Sequence, residues 1–91
     1  MTLEVARTNP GIYVCDIAFN IDVATNDSQV TVAALLNNGA KQILYSETMQ
    51  AGNQIPISFT GYLRSAGEYY CIVYVNGVEV RRGACNFIFK G

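Results

Sequence analysis

The chain contains no histidine and no tryptophan, only two prolines, and few charges: Asp, Glu, Lys and Arg make up 14% of its 91 residues. Without histidine, Ser-His-Asp and Cys-His catalysis are excluded, and so are the usual zinc sites, which rely on imidazole as base or ligand. The three cysteines, Cys15, Cys71 and Cys85, lie far apart with no C-x-x-C spacing, which gives no support to a thiolate metal site. Their odd count leaves at least one unpaired within the chain. Each sits among apolar residues of an expected strand, as a small buried hydrophobe does. Buried free thiols are therefore the expectation, with a Cys15–Cys71 or Cys71–Cys85 bridge as the alternative, and reduced thiols fit assembly in a cytoplasm.

The shortage of charge excludes further classes. Net charge is −1 and Arg81-Arg82 is the one basic pair, whereas a nucleic-acid partner needs clustered positive charge. No apolar run approaches the roughly 20 residues of a membrane span. The opening M-T-L-E-V-A-R lacks the layout of a signal peptide, so either the protein is made and used without Sec export or the sequence is an excised domain, and no membrane partner is expected. No window carries a 3.6-residue apolar period, which leaves helices out. What abounds is apolar residues, 51% of the chain. A domain this small has much surface to cover and few charges to cover it with, so part of that excess is expected in a subunit interface.

The strongest local signal runs from Gly67 to Val80, G-E-Y-Y-C-I-V-Y-V-N-G-V-E-V. Tyr69 to Val75 is a run of aromatic and β-branched residues suited to a strand. Asn76-Gly77 supplies the positive φ values of a type I′ turn, and Val78-Glu79-Val80 returns as the second arm of a hairpin. Both faces of the first arm are apolar, Tyr69, Cys71, Val73 and Val75 on one side and Tyr70, Ile72 and Tyr74 on the other. A half-wet strand alternates apolar with polar, so this one is expected to be covered twice, by its own chain or by another copy.

The rest reads as strands too. Leu3 to Arg7 forms a short edge strand, broken at Asn9-Pro10-Gly11. Tyr13 to Val23 alternates strictly, with Tyr13, Cys15, Ile17, Phe19, Ile21 and Val23 on one face and Asp16, Asn20 and Asp22 opposite. Further strands follow at Gln29–Leu36, Lys41–Thr48, Gln54–Tyr62 and Ala84–Lys90, separated by polar or glycine-bearing turns. Pro56 cannot donate to a ladder and places its strand at an edge or bulge. Seven or eight short strands predict one all-β domain over residues 1–91, an antiparallel sandwich.

Few side chains offer chemistry. Asp16 with Asp22, and Glu68 with Glu79, are the available carboxylate pairs; all four read as solvated outer-face charges, so the chain is expected not to be an enzyme. Asp22, Asn26 and Asp27 offer hard oxygens around a loop, but they are also ordinary turn formers, and no metal or cofactor is expected. Arg81-Arg82 reads as a solvated pair. The outward aromatic set is the candidate site: Tyr62, Tyr70, Ile72 and Tyr74 as an oligomer interface, tyrosine being enriched at such surfaces.

Several stretches carry a resemblance. N-P-G-I-Y-V-C-D-I-A-F, V-T-V-A-A-L-L-N-N-G, Y-L-R-S-A-G-E-Y-Y-C-I-V-Y-V and N-F-I-F-K-G are together similar to the globular-head jelly roll of the complement and tumour-necrosis-factor type. Pro10, Gly11 and Tyr13, then Val30, Val32 and Leu35, then Leu63, Gly67 and Glu68 match its pattern. The chain is short for that family and lacks a collagen-like stalk. The resemblance implies a homotrimer used for binding rather than chemistry. With no signal peptide and no stalk, it points to a bacteriophage virion assembled in the host cytoplasm. The chain would be a capsid decoration or a fibre or spike tip, with capsid or tail proteins, or a cell-surface receptor or glycan, as partners. S-A-G-E-Y-Y-C also resembles the tyrosine corner of immunoglobulin-like domains, with Tyr69 two residues before Cys71. That alternative implies a sandwich adhesion or recognition module with a Cys15–Cys71 bridge, although the tryptophan that packs on such a bridge is absent.

Overall fold

Strict alternation from Tyr13 onward builds the first strand where the pattern places it. The computed structural model describes residues 12–90; the expected Leu3–Arg7 strand and Asn9-Pro10-Gly11 turn lie outside them. The strands are β1 (Tyr13–Val23), β2 (Ser28–Leu35), β3 (Lys41–Met49), β4 (Gly52–Leu63), β5 (Gly67–Val75) and β6 (Val78–Phe89). Asn76 and Gly77 take φ values of 51° and 81°, the paired positive angles of a type I′ turn, and Val75 faces Val78 across it.

The two-sheet sandwich, whether jelly-roll or immunoglobulin-like, is not formed. The chain is all-β and antiparallel, but its six strands make a single sheet in the order β3-β2-β5-β6-β1-β4, curled into a half-barrel. One reason lies at Arg81-Arg82-Gly83, between the expected hairpin arm and the expected Ala84–Lys90 strand. Those residues instead continue the ladder opposite Val73, Ile72 and Cys71, so β6 is one strand of 12 residues. A second reason is irregular pairing, which raises local twist and bends a sheet. Register shifts fall between Val32 and Ala33 against β3, between Val73 and Tyr74 against β6, and between Ile21 and Val23 against β4.

The curl brings the two edge strands towards each other. Tyr45 of β3 stacks on Phe59 of β4 with centroids 4.6 Å apart, and Gln42 Nε2 donates to the Tyr62 carbonyl at 3.3 Å. β4 is thus an edge strand, as Pro56 required. The concave side holds the core: Ile17, Ile21 and Val23 of β1, Val30, Val32 and Ala34 of β2, Ile57 and Leu63 of β4, Tyr69, Cys71 and Val73 of β5, and Phe87 of β6. The tyrosine-corner geometry is present without its sandwich. Tyr69 is buried, and its hydroxyl lies 2.7 Å from Ser65 Oγ and 3.4 Å from the Ser65 and Ala66 carbonyls.

Candidate functional site

Period-two alternation on β5 puts Tyr70, Ile72 and Tyr74 together on the convex face, back to back with the core residues Tyr69, Cys71 and Val73. Within its own chain the strand is covered on one side and partly on the other. Ile72 is fully buried, while Tyr70 remains 54% exposed. Across the ladder Ile72 lies between Ala33 of β2 and Arg82 of β6, and Ala33 in turn faces Ile43 of β3. Ala33 is buried and Ile43 is 65% exposed. Leu35 faces Tyr70. The result is an apolar strip across three strands, with tyrosine rings on either side of a buried isoleucine.

Two cations edge this strip. The Arg82 guanidinium lies 5.9 Å from the Tyr70 ring centroid and the Lys41 ammonium 5.6 Å from that of Tyr74, both within range of the attraction between a cation and a ring face. Arg82 also grips Glu79 through Nη2 and Nε at 2.9 and 3.0 Å. That forked hydrogen bond holds the Glu79 carboxyl below its ordinary pKa and raises the guanidinium in turn. Arg82 is solvent-exposed, as expected of the Arg81-Arg82 pair, and its hold on Glu79 also keeps it over the tyrosine.

Tyr62 belongs elsewhere. It sits on the outer face of β4, half exposed, in register with Val14 of β1, which in turn pairs with the exposed Ile88. The structure thus joins three of the four expected interface residues and puts the fourth in a second, smaller apolar row. Ile43, Leu35, Lys41 and Arg82 belong to the main strip and were missed. Their outward direction follows from alternation, but their adjacency to β5 depends on strand order.

The chemistry-bearing candidates are dispersed or engaged. Asp16 and Asp22 are six residues apart on one strand, about 20 Å at the usual rise. Glu68 and Glu79 stand opposite Asn86 and Tyr74, at the two ends of the hairpin. Paired-carboxylate chemistry uses separations of roughly 5–9.5 Å, so neither pair shares a substrate. Asp22 Oδ1 accepts from the Gln54 N–H at 2.8 Å, Asn26 Oδ1 from the Ala51 N–H at 2.9 Å, and Asp27 Oδ1 from Gln50 Nε2 at 3.4 Å. These oxygens tie the first loop to the β3–β4 connection and its flank.

A second feature lies on the opposite side of β6. There β1 pairs with β6 only at Tyr13↔Phe89 and Val14↔Ile88, with the Lys90 N–H donating to the Ile12 carbonyl beyond them. Past Val14 the two strands separate, leaving a seam that is unpaired among the described residues. A cavity of about 150 Å³ lies there, lined by Ile17 and Phe19 of β1, Val32, Cys71 and Val73 of the inner face, and Cys85 of β6. Arg81 reaches across, its guanidinium 5.6 Å from the Phe19 ring. All three cysteines are free and gather at this place. Burial first, and the neighbouring Cys85 next, push the Cys15 thiol up to about 11; burial and Cys71 do the same to Cys85; Cys71 is raised by burial.

Comparison of the chain with protein-family models, with curated proteins and with solved structures finds no match.

Proposed function

We propose that this chain is a non-enzymatic structural or binding module that assembles with copies of itself through the outer face of β5. The observation that carries the reading is the strip centred on Ile72, where Tyr70 and Ile43 stay more than half exposed on the outer sheet face. Contiguous apolar surface of this kind marks an interaction site more often than scattered single residues do. Tyrosine flanked by an oriented arginine is the composition favoured in interface centres. The sparse charge of the whole chain supports the same reading.

A homotrimer on a bacteriophage virion is the setting that the sequence resemblance suggested. The curled single sheet removes the sandwich from that resemblance, so the proposal rests on the outer face, and copy number is what the test reads. That test is native mass by light scattering coupled to size exclusion across a range of concentrations. Wild type is expected at a small multiple of the chain mass, near three for the trimer. Tyr70→Asp is expected at one chain mass with an unchanged circular dichroism spectrum, because it removes the aromatic anchor and puts a charge into the apolar contact. A wild-type monomer at every concentration overturns the proposal. Ile72 is unsuitable for this test, since it is buried within its own chain and its truncation reports on folding.

A further inference from the structure

We propose that Cys15 and Cys85 form a disulfide across the seam between β1 and β6, an oxidative modification that staples the open side of the half-barrel. The choice of partners follows from register. Cys85 faces Tyr69, and Cys71 faces Gly83, so Cys71 and Cys85 are diagonal neighbours on adjacent strands. Diagonal positions stand about 7–8 Å apart, beyond the roughly 6.8 Å that a disulfide spans between Cα atoms. The ladder on both sides of them is continuous and resists adjustment. Cys15 and Cys71 are separated by β6 in the sheet order, about two strand spacings or some 9.5 Å along the sheet.

Cys15 and Cys85 meet different conditions. Cys15 is the first residue of β1 after the last paired position, Val14↔Ile88. Counting on, it would face Phe87, with Cys85 two residues along on the same concave face, a diagonal neighbour just as Cys85 is of Cys71. Here, however, no ladder holds the register. The Cys15 sulfur lies against the backbone N–H of Asn86, the neighbour of Cys85, and the Cys85 thiol is near enough to both Cys15 and Cys71 to perturb each; what separates the two pairs is the unpaired seam. The strands are free to draw together at this point, as closing a disulfide demands. Both side chains border the apolar interior, so the bridge would sit beside the cavity and hold its two banks.

The oxidant is a small-molecule disulfide such as oxidised glutathione. The Cys85 thiolate attacks one of its sulfurs, forming a mixed disulfide and expelling one glutathione thiolate. The Cys15 thiolate then attacks the Cys85 sulfur, forming the intramolecular bond and expelling the second. The protein gives up two electrons, glutathione disulfide gains them, and the two protons leave with the released thiols. Because burial keeps both thiols protonated at neutral pH, the exchange accelerates as pH rises towards about 11.

The test uses the intact chain, incubated at pH 9 with excess oxidised glutathione and compared with a sample held reduced. Cleavage after Lys41, Arg64, Arg81 and Arg82 places the three cysteines on separate peptides, so non-reducing peptide mapping identifies the bridge. The expected result is a Cys15–Cys85 link, one titratable thiol under denaturing conditions, and a thermal midpoint raised by roughly ten degrees that falls back on reduction. Cys71→Ser should give the same link. A Cys71–Cys85 bridge, an intermolecular bridge, or a chain that keeps three thiols or carries only glutathione adducts overturns the proposal.

Discussion

Phe87 shows how much of the fold rests on single side chains. It is fully buried, meets Tyr69 edge-on at 5.8 Å, and lies against Gly61, where an added Cβ would stand 3.3 Å from its ring and 3.2 Å from Leu44. Phe87→Ala should cost about 3–5 kcal/mol, the lost transfer energy plus the cavity left behind. Gly61→Ala should cost about 1–3 kcal/mol, by pressing a methyl into a packed contact. Urea denaturation measures both, and a Phe87→Ala loss below about 1 kcal/mol would mean the core does not close there. The thiols give a pH-dependent counterpart. Cys15 and Cys85 titrate near 11 in the folded chain against an ordinary 9.0. Between those values the unfolded chain has released protons that the native chain still holds. Stability from this source is therefore complete below pH 9 and declines as pH rises towards 11. Under reducing conditions, the loss in urea midpoint from pH 8 to 10.5 should be larger in wild type than in Cys15→Ser/Cys85→Ser. Equal losses would mean that burial does not shift these thiols.

The turn of the β5–β6 hairpin is where sequence and structure agree at residue detail, because its chemistry is local. Asn76 does more than accept a positive φ. Its N–H donates to the Gln29 carbonyl at 2.8 Å, and its Oδ1 accepts from the Gln29 N–H at 2.9 Å. Its Nδ2 lies 3.3 Å from Ser28 Oγ, a buried hydroxyl. The turn thus also anchors the start of β2. Asn76→Ala should cost about 2 kcal/mol or more, summing the left-handed penalty and the stranded partners, whereas Gly77→Ala should cost about 1 kcal/mol from φ alone. Near-equal losses in thermal unfolding would show that the anchoring bonds contribute nothing. The same contrast explains what was legible in the sequence. Alternation reports which side of a strand each residue takes, so the shared outer face of Tyr70, Ile72 and Tyr74 was legible. It does not report which strands are neighbours, so it could not show that Tyr62 lies on β4, away from β5, or that Ile43 and Arg82 border the β5 residues. Nor does it distinguish the inner faces of two sheets from one sheet bent over itself. That difference depends on register shifts such as the one beside Ala33, and on Arg81-Arg82-Gly83 joining the hairpin arm and the last strand into one.

For the whole molecule, the unequal pairing of β1 and β6 decides what kind of object this is. Each is hydrogen-bonded along one edge, β1 to β4 and β6 to β5, and each leaves most of its other edge facing the seam. A strand bonded on one side protects every second amide, because successive N–H groups point to opposite edges. β2 and β5 are bonded on both sides over Val30–Leu35 and Tyr70–Val75, and their amides should all exchange slowly. Hydrogen exchange followed residue by residue should therefore show uniform protection in those two segments. It should show alternating fast and slow amides over Cys15–Val23 and Val80–Phe87. Uniform protection across the seam would mean that another strand fills it, completing a seven-stranded sheet. Alternation that disappears on oxidation would mean that drawing Cys15 to Cys85 extends the β1–β6 ladder past Val14. A seam open in the reduced chain also places the main apolar strip, on the far side of β5, as the surface available for self-association without disturbing the cavity. Tyr70→Asp should accordingly abolish assembly while leaving the exchange pattern of β1 and β6 unchanged. A variant that alters both would show that the outer strip and the seam are parts of one interface.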